Sequence, residues 1–272
     1  MNFILDPVMI FGLLGFPKMG IRGAAWATVF SETIVMAGGF VLLYKRYRLL
    51  SFARSPAAAV FASWGRILRI GAPSTLSSIL GPVSTGVVTR MVAAFGPAAV
   101  AAFGVAGRIE MFAFMIPMTV GMSLLPFVAQ NFGAGRMDRV RTAYKGTTMF
   151  AVCFGLIIAA AFTAAARPMA GFFSNDSEVI DILVRYVRIT CFGYGLLEVH
   201  RYATFCVTGI QRPMISAGLN AIRLLVFLIP LSYLGAEVAG LTGMFWVRLA
   251  TDLLAAGIGV FVVLWKTRQP LL

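Results

Sequence analysis

The segment GIRGAAWATVFSETI, residues 20–34, recurs near the other end of the chain as GLTGMFWVRLATDLL, residues 240–254. Aligned from Gly20 and Gly240 without a gap, the two segments and the residues after them match at four positions: Gly23/Gly243, Trp26/Trp246, Glu32/Asp252 (both acidic) and Gly39/Gly259. Both copies lie in apolar runs. Such an internal repeat, with both copies in the same orientation, indicates a transporter built from two related lobes.

The composition places the chain in a membrane. It is 60% hydrophobic and 12% charged over 272 residues, whereas soluble domains are about 45–50% apolar. Apolar runs long enough to span a bilayer, about 20 residues each, recur along the sequence. The formal charge of +13 lies mainly in short connections, which is typical of membrane topology rather than nucleic-acid binding. We therefore expect an all-α integral membrane protein whose partner is the lipid bilayer.

Cutting the chain at its charged, glycine and proline positions predicts about eight transmembrane helices. Their ranges are 2–16, 20–44, 67–95, 98–132, 140–165, 179–209, 213–234 and 238–265. Because four spans precede the second copy of the repeat in its lobe, four further helices are expected before the first copy. Residues 1–44 would then close an amino-terminal lobe, residues 45–66 would be a cytoplasmic linker, and residues 67–272 would form a complete six-helix lobe.

Basic residues predict the orientation in the membrane. The connections at 45–66 and 133–145 are rich in arginine and lysine, and the tail carries Lys266 and Arg268, whereas the alternate connections are poorer in basic residues. Basic connections stay in the cytoplasm. We expect a multi-pass inner-membrane protein with both termini cytoplasmic.

Charged residues inside apolar spans are candidate functional groups because each is costly within the bilayer. Glu198 and Arg201 are three residues apart, and Arg248 and Asp252 are four apart. Each pair is therefore expected to neutralise itself on one helix face. Three further acids have no partner on their own helix: Asp6, Glu32 and Glu110. Glu32 and Glu198 are secondary site candidates.

Two other patterns have competing interpretations. Met111, Met115, Met118 and Met122 lie on one helix face beside Glu110, which suits a cavity for small organic cations but is equally expected of ordinary helix packing. His200 lies between Glu198 and Arg201 without a metal-binding or catalytic motif, so it is interpreted as a packed or paired residue. The three cysteines also lack ligand spacing. We predict neither a catalytic nor a metal site.

The stretch RIEMFAFMIPMTVGMSLLPFVAQNFGAGRMDRVR (108–141), followed by FFSNDSEVIDILVRYVRI (172–189), resembles the multidrug and toxic compound extrusion (MATE) transporters. The opening NFILDPVMIFG (2–12) resembles the start of their fifth helix. The resemblance covers the whole chain. It implies a twelve-helix, two-lobe antiporter that exchanges H⁺ or Na⁺ for organic cations and uses no other cofactor, with the first four helices missing here.

The resemblance also implies a coupling-ion site. In the DinF-like branch this site takes an asparagine and an aspartate, four residues apart, from helix five and a threonine from helix six, which match Asn2, Asp6 and Thr28. A further aspartate comes from helix one, outside this chain. The NorM-like branch uses an acid in helix seven, and residues 70–89 contain none. The resemblance therefore favours the DinF-like branch.

Three alternatives remain. A related lipid-linked sugar flippase would need a cationic cavity, for which Arg90, Arg108, Arg201, Arg223 and Arg248 are available. An inactive fragment would share the ancestry without the transport. A membrane enzyme built around His200 lacks an accompanying nucleophile or metal motif.

Overall fold

The computed structural model describes residues 1–50 and 56–268, apart from the side chains of residues 70, 73, 74 and 268. Within these ranges every regular element is helical, which confirms the all-α class. The chain divides into two compact units, Met1–Ser63 and Trp64–Leu272. Each unit is considered by itself below.

The helices follow one another with short connections. In chain order they are α1 (Asn2–Phe11), α2 (Ile21–Lys45), α3 (Ala57–Ala93), α4 (Pro97–Gly133), α5 (Met137–Phe173), α6 (Ser177–Thr190), α7 (Tyr194–Gly209), α8 (Pro213–Ala221) and α9 (Ile229–Arg268). A 3₁₀ turn, Cys191–Gly193, joins α6 to α7, and a π-helical segment, Ile222–Leu228, joins α8 to α9.

By length and composition, five helical runs of the described chain can cross a membrane. They are Ile21–Lys45, Thr75–Ala93, Pro97–Gly133, Met137–Phe173 and Pro213–Thr267. The last run contains two of the predicted spans, 213–234 and 238–265. The backbone leaves helical geometry near their boundary, at Ala239 and Gly240. Predicted span 179–209 corresponds to α6 and α7, and predicted span 2–16 to the shorter α1. The multi-pass membrane class is supported, and the number of eight spans stays a prediction.

The first unit contains the packed pair α1 and α2. Pro7 lies inside α1, and Gly12 ends that helix with a left-handed φ of 73°. Val8, Met9 and Ala27 are the buried apolar residues of this pair. Gly23 is needed there because a Cβ at this position would overlap the backbone carbonyl of Met9. The two helices therefore approach through a glycine, as is common in membrane helix pairs.

The second unit buries its apolar side chains in separate clusters. One cluster surrounds Leu183, Val187 and Phe245, and another surrounds Val128 and Val207. Small residues let the helices approach closely: a Cβ on Gly155 of α5 would overlap the backbone of Gly195 in α7. Van der Waals packing of this kind holds helices together where lipid removes the hydrophobic driving force.

Two further contacts bear on the predicted organisation. Arg141 near the start of α5 donates from Nε to the carbonyl of Thr267 at 3.0 Å, so the beginning of α5 and the end of α9 lie at the same end of the bundle. The basic residues predict that these two ends lie on one side of the membrane, and that this side is the cytoplasm stays a prediction. Helix α3 begins at Ala57, within the predicted linker 45–66, and residues 51–55 of that linker lie outside the described residues. The division into two lobes and a linker stays a prediction.

Candidate substrate cavity

A cavity of about 730 Å³ lies within the second unit, a size typical of sites for drug-sized molecules. Hydroxyl groups of α3, including Ser77, Ser84 and Thr85, line one wall. Four aromatic residues, Phe103, Phe114, Tyr186 and Phe245, line the others together with the charged side chains of Glu110, Arg201, Arg223 and Arg248. The cavity is therefore mixed, with aromatic faces and a few charged groups.

Glu110 of α4 is fixed by a network that joins four helices. Arg248 Nη2 of α9 donates to Glu110 Oε2 at 2.8 Å, and the hydroxyl of Tyr186 in α6 donates to Glu110 Oε1 at 2.5 Å. Arg248 Nη1 donates to the Tyr186 hydroxyl, and the hydroxyl of Tyr194 in α7 lies 3.4 Å from Oε1. Glu110 therefore has a cationic partner, which sequence reasoning did not find.

Arg223 extends from the π-helical segment towards α9. Its Nη2 and Nε donate to the same oxygen of Asp252, Oδ1, at 2.6 and 3.1 Å. The predicted pairing of Asp252 with Arg248 on one helix is thus wrong, since Arg248 pairs with Glu110 instead. Spacing by four residues permits a pair on one face, but charge partners from neighbouring helices are closer here.

Glu198 and Arg201 form the pair predicted from their spacing. Arg201 Nη1 donates to Glu198 Oε1 at 2.6 Å, and its guanidinium lies 4.8 Å from the ring centre of Phe114, within cation–π range. The second oxygen of Glu198, Oε2, is buried without a hydrogen-bond partner among the described residues. The predicted Glu198–Arg201 pair is therefore confirmed, and Oε2 of Glu198 can still accept a hydrogen bond.

His200 is packed rather than exposed to the cavity, as interpreted from the sequence. Its Nε2 lies 3.2 Å from Oδ1 of Asn220, and its Nδ1 lies 3.3 Å from the carbonyl of Ala255. Asn220 in turn donates from Nδ2 to Ser77 Oγ at 2.6 Å. This chain of contacts links α7, α8 and α3 beside the cavity.

In each ion pair the arginine is more exposed than its acid. The exposed side-chain fractions are 33%, 13% and 21% for Arg201, Arg223 and Arg248, against 1%, 2% and 12% for Glu198, Asp252 and Glu110. Glu198 and Asp252 do not line the cavity, whereas all three arginines do. Within the described part of the chain, the charged wall therefore consists of three guanidinium groups and the carboxylate of Glu110.

The residues predicted to line a cation cavity lie in two places. Glu110 and Met111 line the cavity. Met115, Met118 and Met122 are exposed and do not belong to its lining. Their role in substrate binding stays a prediction. The sequence does not predict a role for Tyr186. Its partner Glu110 lies on another helix, and the sequence around Tyr186 is the same as expected for an aromatic residue in an apolar core.

The amino-terminal residues implied by the resemblance lie together in the first unit. Asn2 Nδ2 lies 3.5 Å from Thr28 Oγ1, and Ser31, which was not predicted, donates to Asn2 Oδ1 at 3.4 Å. Asp6 follows one turn after Asn2, and its Oδ1 is buried without a partner among the residues described. Glu32 is exposed. The role of this polar cluster as an ion site stays a prediction.

Comparison with known proteins identifies the family. The MatE family model matches residues 73–234, which is more than half of the chain. The chain belongs to the MatE family. Members of this family are membrane transporters rather than enzymes, and they include multidrug efflux proteins.

Two curated relatives match nearly the whole chain. A protein named FAD transporter from Shewanella oneidensis is 32% identical over 99% of this chain and 59% of its own length. The multidrug export protein MepA from Staphylococcus haemolyticus is 28% identical over 96% of this chain and 57% of its own.

A solved structure gives the same result for the fold. The Vibrio cholerae MATE transporter VcmN, in its bent form, is 27% identical, with a TM-score of 0.85 over 98% of this chain and 60% of the other. The chain thus spans about three fifths of the length of these relatives.

Proposed function

We propose that this chain is the cavity-bearing part of an inner-membrane exporter that moves drug-sized organic compounds outward in exchange for H⁺ or Na⁺. The observation that carries the proposal is the cavity of about 730 Å³, bounded by aromatic side chains inside a helical bundle of the MatE family. Its volume falls in the range of sites for small organic molecules. The family supports export, and the cavity provides room for the exported compound.

The coupling ion is proposed to bind at the polar cluster of the first unit. Asn2, Thr28 and Ser31 bring side-chain oxygens together, and the carboxylate of Asp6 lies one helical turn from Asn2 with an open acceptor. Oxygen atoms with one carboxylate suit a hard cation, and a lone carboxylate suits a proton. Four further helices, expected from the repeat and from the DinF-like resemblance, would complete the site.

Two substrate classes are candidates. Organic cations were expected from the sequence, and the name of the Staphylococcus relative, a multidrug export protein, supports drugs in general. The second candidate is FAD, for which the Shewanella relative is named. The three arginines in the cavity wall favour this second candidate, because FAD carries negatively charged phosphate groups.

The test uses a chimera that places the amino-terminal helices of the Shewanella relative before this chain. In everted membrane vesicles, an H⁺ or Na⁺ gradient should drive accumulation of ethidium or FAD by the chimera. Asp6→Asn should abolish the dependence on the gradient while the protein remains in the membrane. Asp138→Asn is the matched control, because Asp138 is an exposed acid at the start of α5. Gradient-driven export by the Asp6→Asn chimera would contradict the ion-site assignment.

A further inference from the structure

The arginines of the cavity have hydrogen-bond donors to spare. An arginine carries five N–H groups. In the hydrogen bonds of the described residues, Arg201 uses Nη1 on Glu198, Arg223 uses Nε and Nη2 on Asp252, and Arg248 uses both terminal nitrogens once. N–H groups that remain on all three guanidinium groups can therefore bind a ligand that enters the cavity.

The placement of the acids makes the cavity attractive to negative charge. Glu198 and Asp252 are almost fully buried behind their arginines and do not line the cavity. A charged group in the cavity is therefore closer to the guanidinium groups of Arg201 and Arg223 than to the acids. Because interaction between charges falls with distance and is strong where water is excluded, the nearer positive charges dominate.

Glu110 is the exception, since its carboxylate does face the cavity. A cationic ligand that bound Glu110 would have to draw it away from Arg248 and would leave that arginine unpaired beside a second positive charge, which is costly. An anionic ligand that takes the place of Glu110 on Arg248 also separates this pair, but it satisfies the arginine and leaves the carboxylate beside two hydroxyl groups. If it replaces Glu110 on Arg248, the hydroxyls of Tyr186 and Tyr194, at 2.5 and 3.4 Å from Oε1, can still hold the displaced carboxylate.

Aromatic side chains surround the same space. Arg201 lies over the ring of Phe114. Tyr186 packs edge-on against Phe103 and Phe245, with ring centres 6.1 and 4.9 Å apart. These four rings line the cavity and offer faces and edges for a flat aromatic group. The buried hydroxyl of Ser84 also lines it and has no partner among residues 1–50 and 56–268.

We propose that this cavity binds an aromatic organic anion, with Arg201, Arg223 and Arg248 receiving the anionic group and Glu110 acting as the internal counterion that the ligand displaces. The inference rests on the proposed function only in taking this cavity as the site of the exported compound. A phosphate, sulfonate or carboxylate group has the oxygen geometry that guanidinium groups bind with paired hydrogen bonds.

The experiment measures binding to the purified chain in nanodiscs of zwitterionic lipid, by equilibrium dialysis. Three probes share one ring system and differ in charge: naphthalenesulfonate, naphthalenemethanol and naphthylmethylammonium. The sulfonate should bind about tenfold or more tightly than the ammonium compound, as one charge-assisted hydrogen bond predicts. Tighter binding of the ammonium compound would overturn the proposal.

Substitutions identify the groups responsible. Arg201→Gln should weaken sulfonate binding about tenfold, whereas Arg185→Gln should leave it unchanged, because Arg185 is exposed on α6, donates to Thr242 and does not line the cavity. Glu110→Gln should strengthen sulfonate binding severalfold by removing the competing carboxylate. Equal sulfonate affinity in Arg201→Gln and Arg185→Gln, or weaker binding in Glu110→Gln, would overturn the proposal.

Two measures keep the result unambiguous. Arg201→Gln leaves Glu198 without its cation, so Arg201→Gln/Glu198→Gln is measured as well, and it should show the same loss of sulfonate binding if the arginine is responsible. Binding requires no ion gradient. Gradient-driven export with a preference for the ammonium probe would overturn this inference alone, and sulfonate binding without export by the chimera would overturn the export proposal alone.

Discussion

The two copies of the repeat form similar helical hairpins with different polar groups. In the amino-terminal hairpin, residues 2–45, Gly20 precedes α2 with φ 56° and ψ −133°. In the carboxy-terminal hairpin, residues 213–268, the matching Gly240 has φ 60° and ψ −147°. Gly23 lies against the backbone carbonyl of Met9 in α1, and Gly243 lies against that of Gly235, which precedes the break in α9. The backbone of the repeat is therefore retained at its glycines.

The acids at the matching positions differ. Glu32 is exposed, whereas Asp252 is buried and bound by Arg223. The amino-terminal hairpin instead holds an acid, Asp6, with an open acceptor and no described cationic partner. One hairpin thus presents a carboxylate that can take a cation, and the other presents arginines. The two proposals above assign the first hairpin to the coupling ion and the second to an organic anion, and this difference in charge is what they share as a starting point.

The largest expected effect comes from breaking the buried pair in the carboxy-terminal hairpin. Arg223→Gln leaves the buried carboxylate of Asp252 without its cation and should lower the free energy of unfolding by about 3–5 kcal/mol. Arg223→Gln/Asp252→Asn should recover most of that loss, because no unpaired charge remains. Glu32→Gln, at the matching position of the other hairpin, should change it by less than about 0.5 kcal/mol. Unfolding by dodecyl sulfate titration measures all three.

An equal loss for Glu32→Gln and Arg223→Gln would contradict the distinction between the hairpins. It would mean that Glu32 has a buried partner in the membrane, which its exposure in the first unit does not suggest.

A smaller effect is expected where the two hairpins agree. Gly243→Ala would place a Cβ against the carbonyl oxygen of Gly235, and Gly23→Ala would place one against that of Met9. Because the obstacle is backbone in both cases, each substitution should cost about 2–3 kcal/mol. Gly257→Ala and Gly38→Ala are controls in the same helices with open space around the glycine, and they should be neutral or stabilising by about 0.5–1 kcal/mol.

Loss of stability in Gly243→Ala without loss in Gly23→Ala would contradict this. It would show that the two hairpins share the positions of their glycines but not the close backbone contact at Gly23 and Gly243. The comparison uses the apparent melting temperature of each purified variant in one detergent, so that the differences reflect the substitutions.

The sequence predicted the helices well where apolar runs end at glycine, proline or charge. The span expected at 98–132 is Pro97–Gly133, and the segment expected at 179–209 is Ser177–Gly209. The pair Glu198–Arg201 was predictable because both residues lie on one helix within one turn. Local spacing was sufficient in these cases.

The rest depended on contacts between helices that are distant in the sequence. Glu110 and Arg248 pair across 138 positions, and Arg223 reaches Asp252 through a π-helical segment. Neither pair can be recognised from the spacing of charged residues along one helix. The i, i+4 rule even favoured the wrong partner for Asp252, since the rule says nothing about competing charges on other helices.

The smallest effect concerns backbone conformation, and it sharpens the correspondence between the hairpins. Gly20 and Gly240 adopt positive φ with ψ near −140°, a region that is nearly restricted to glycine. A Cβ added at Gly20 would meet no atom within 4 Å, and one added at Gly240 would lie 3.7 Å from the ring of Phe95. The cost of Gly20→Ala or Gly240→Ala is therefore conformational strain alone, about 1–2 kcal/mol. Because the two geometries are nearly the same, the two losses should agree within about 0.5 kcal/mol. Gly39→Ala, in ordinary helix with open space, provides the reference. A loss of stability in Gly240→Ala with none in Gly20→Ala would contradict this prediction. It would mean that the backbone at residue 20 can adopt another conformation, whereas the backbone at residue 240 cannot.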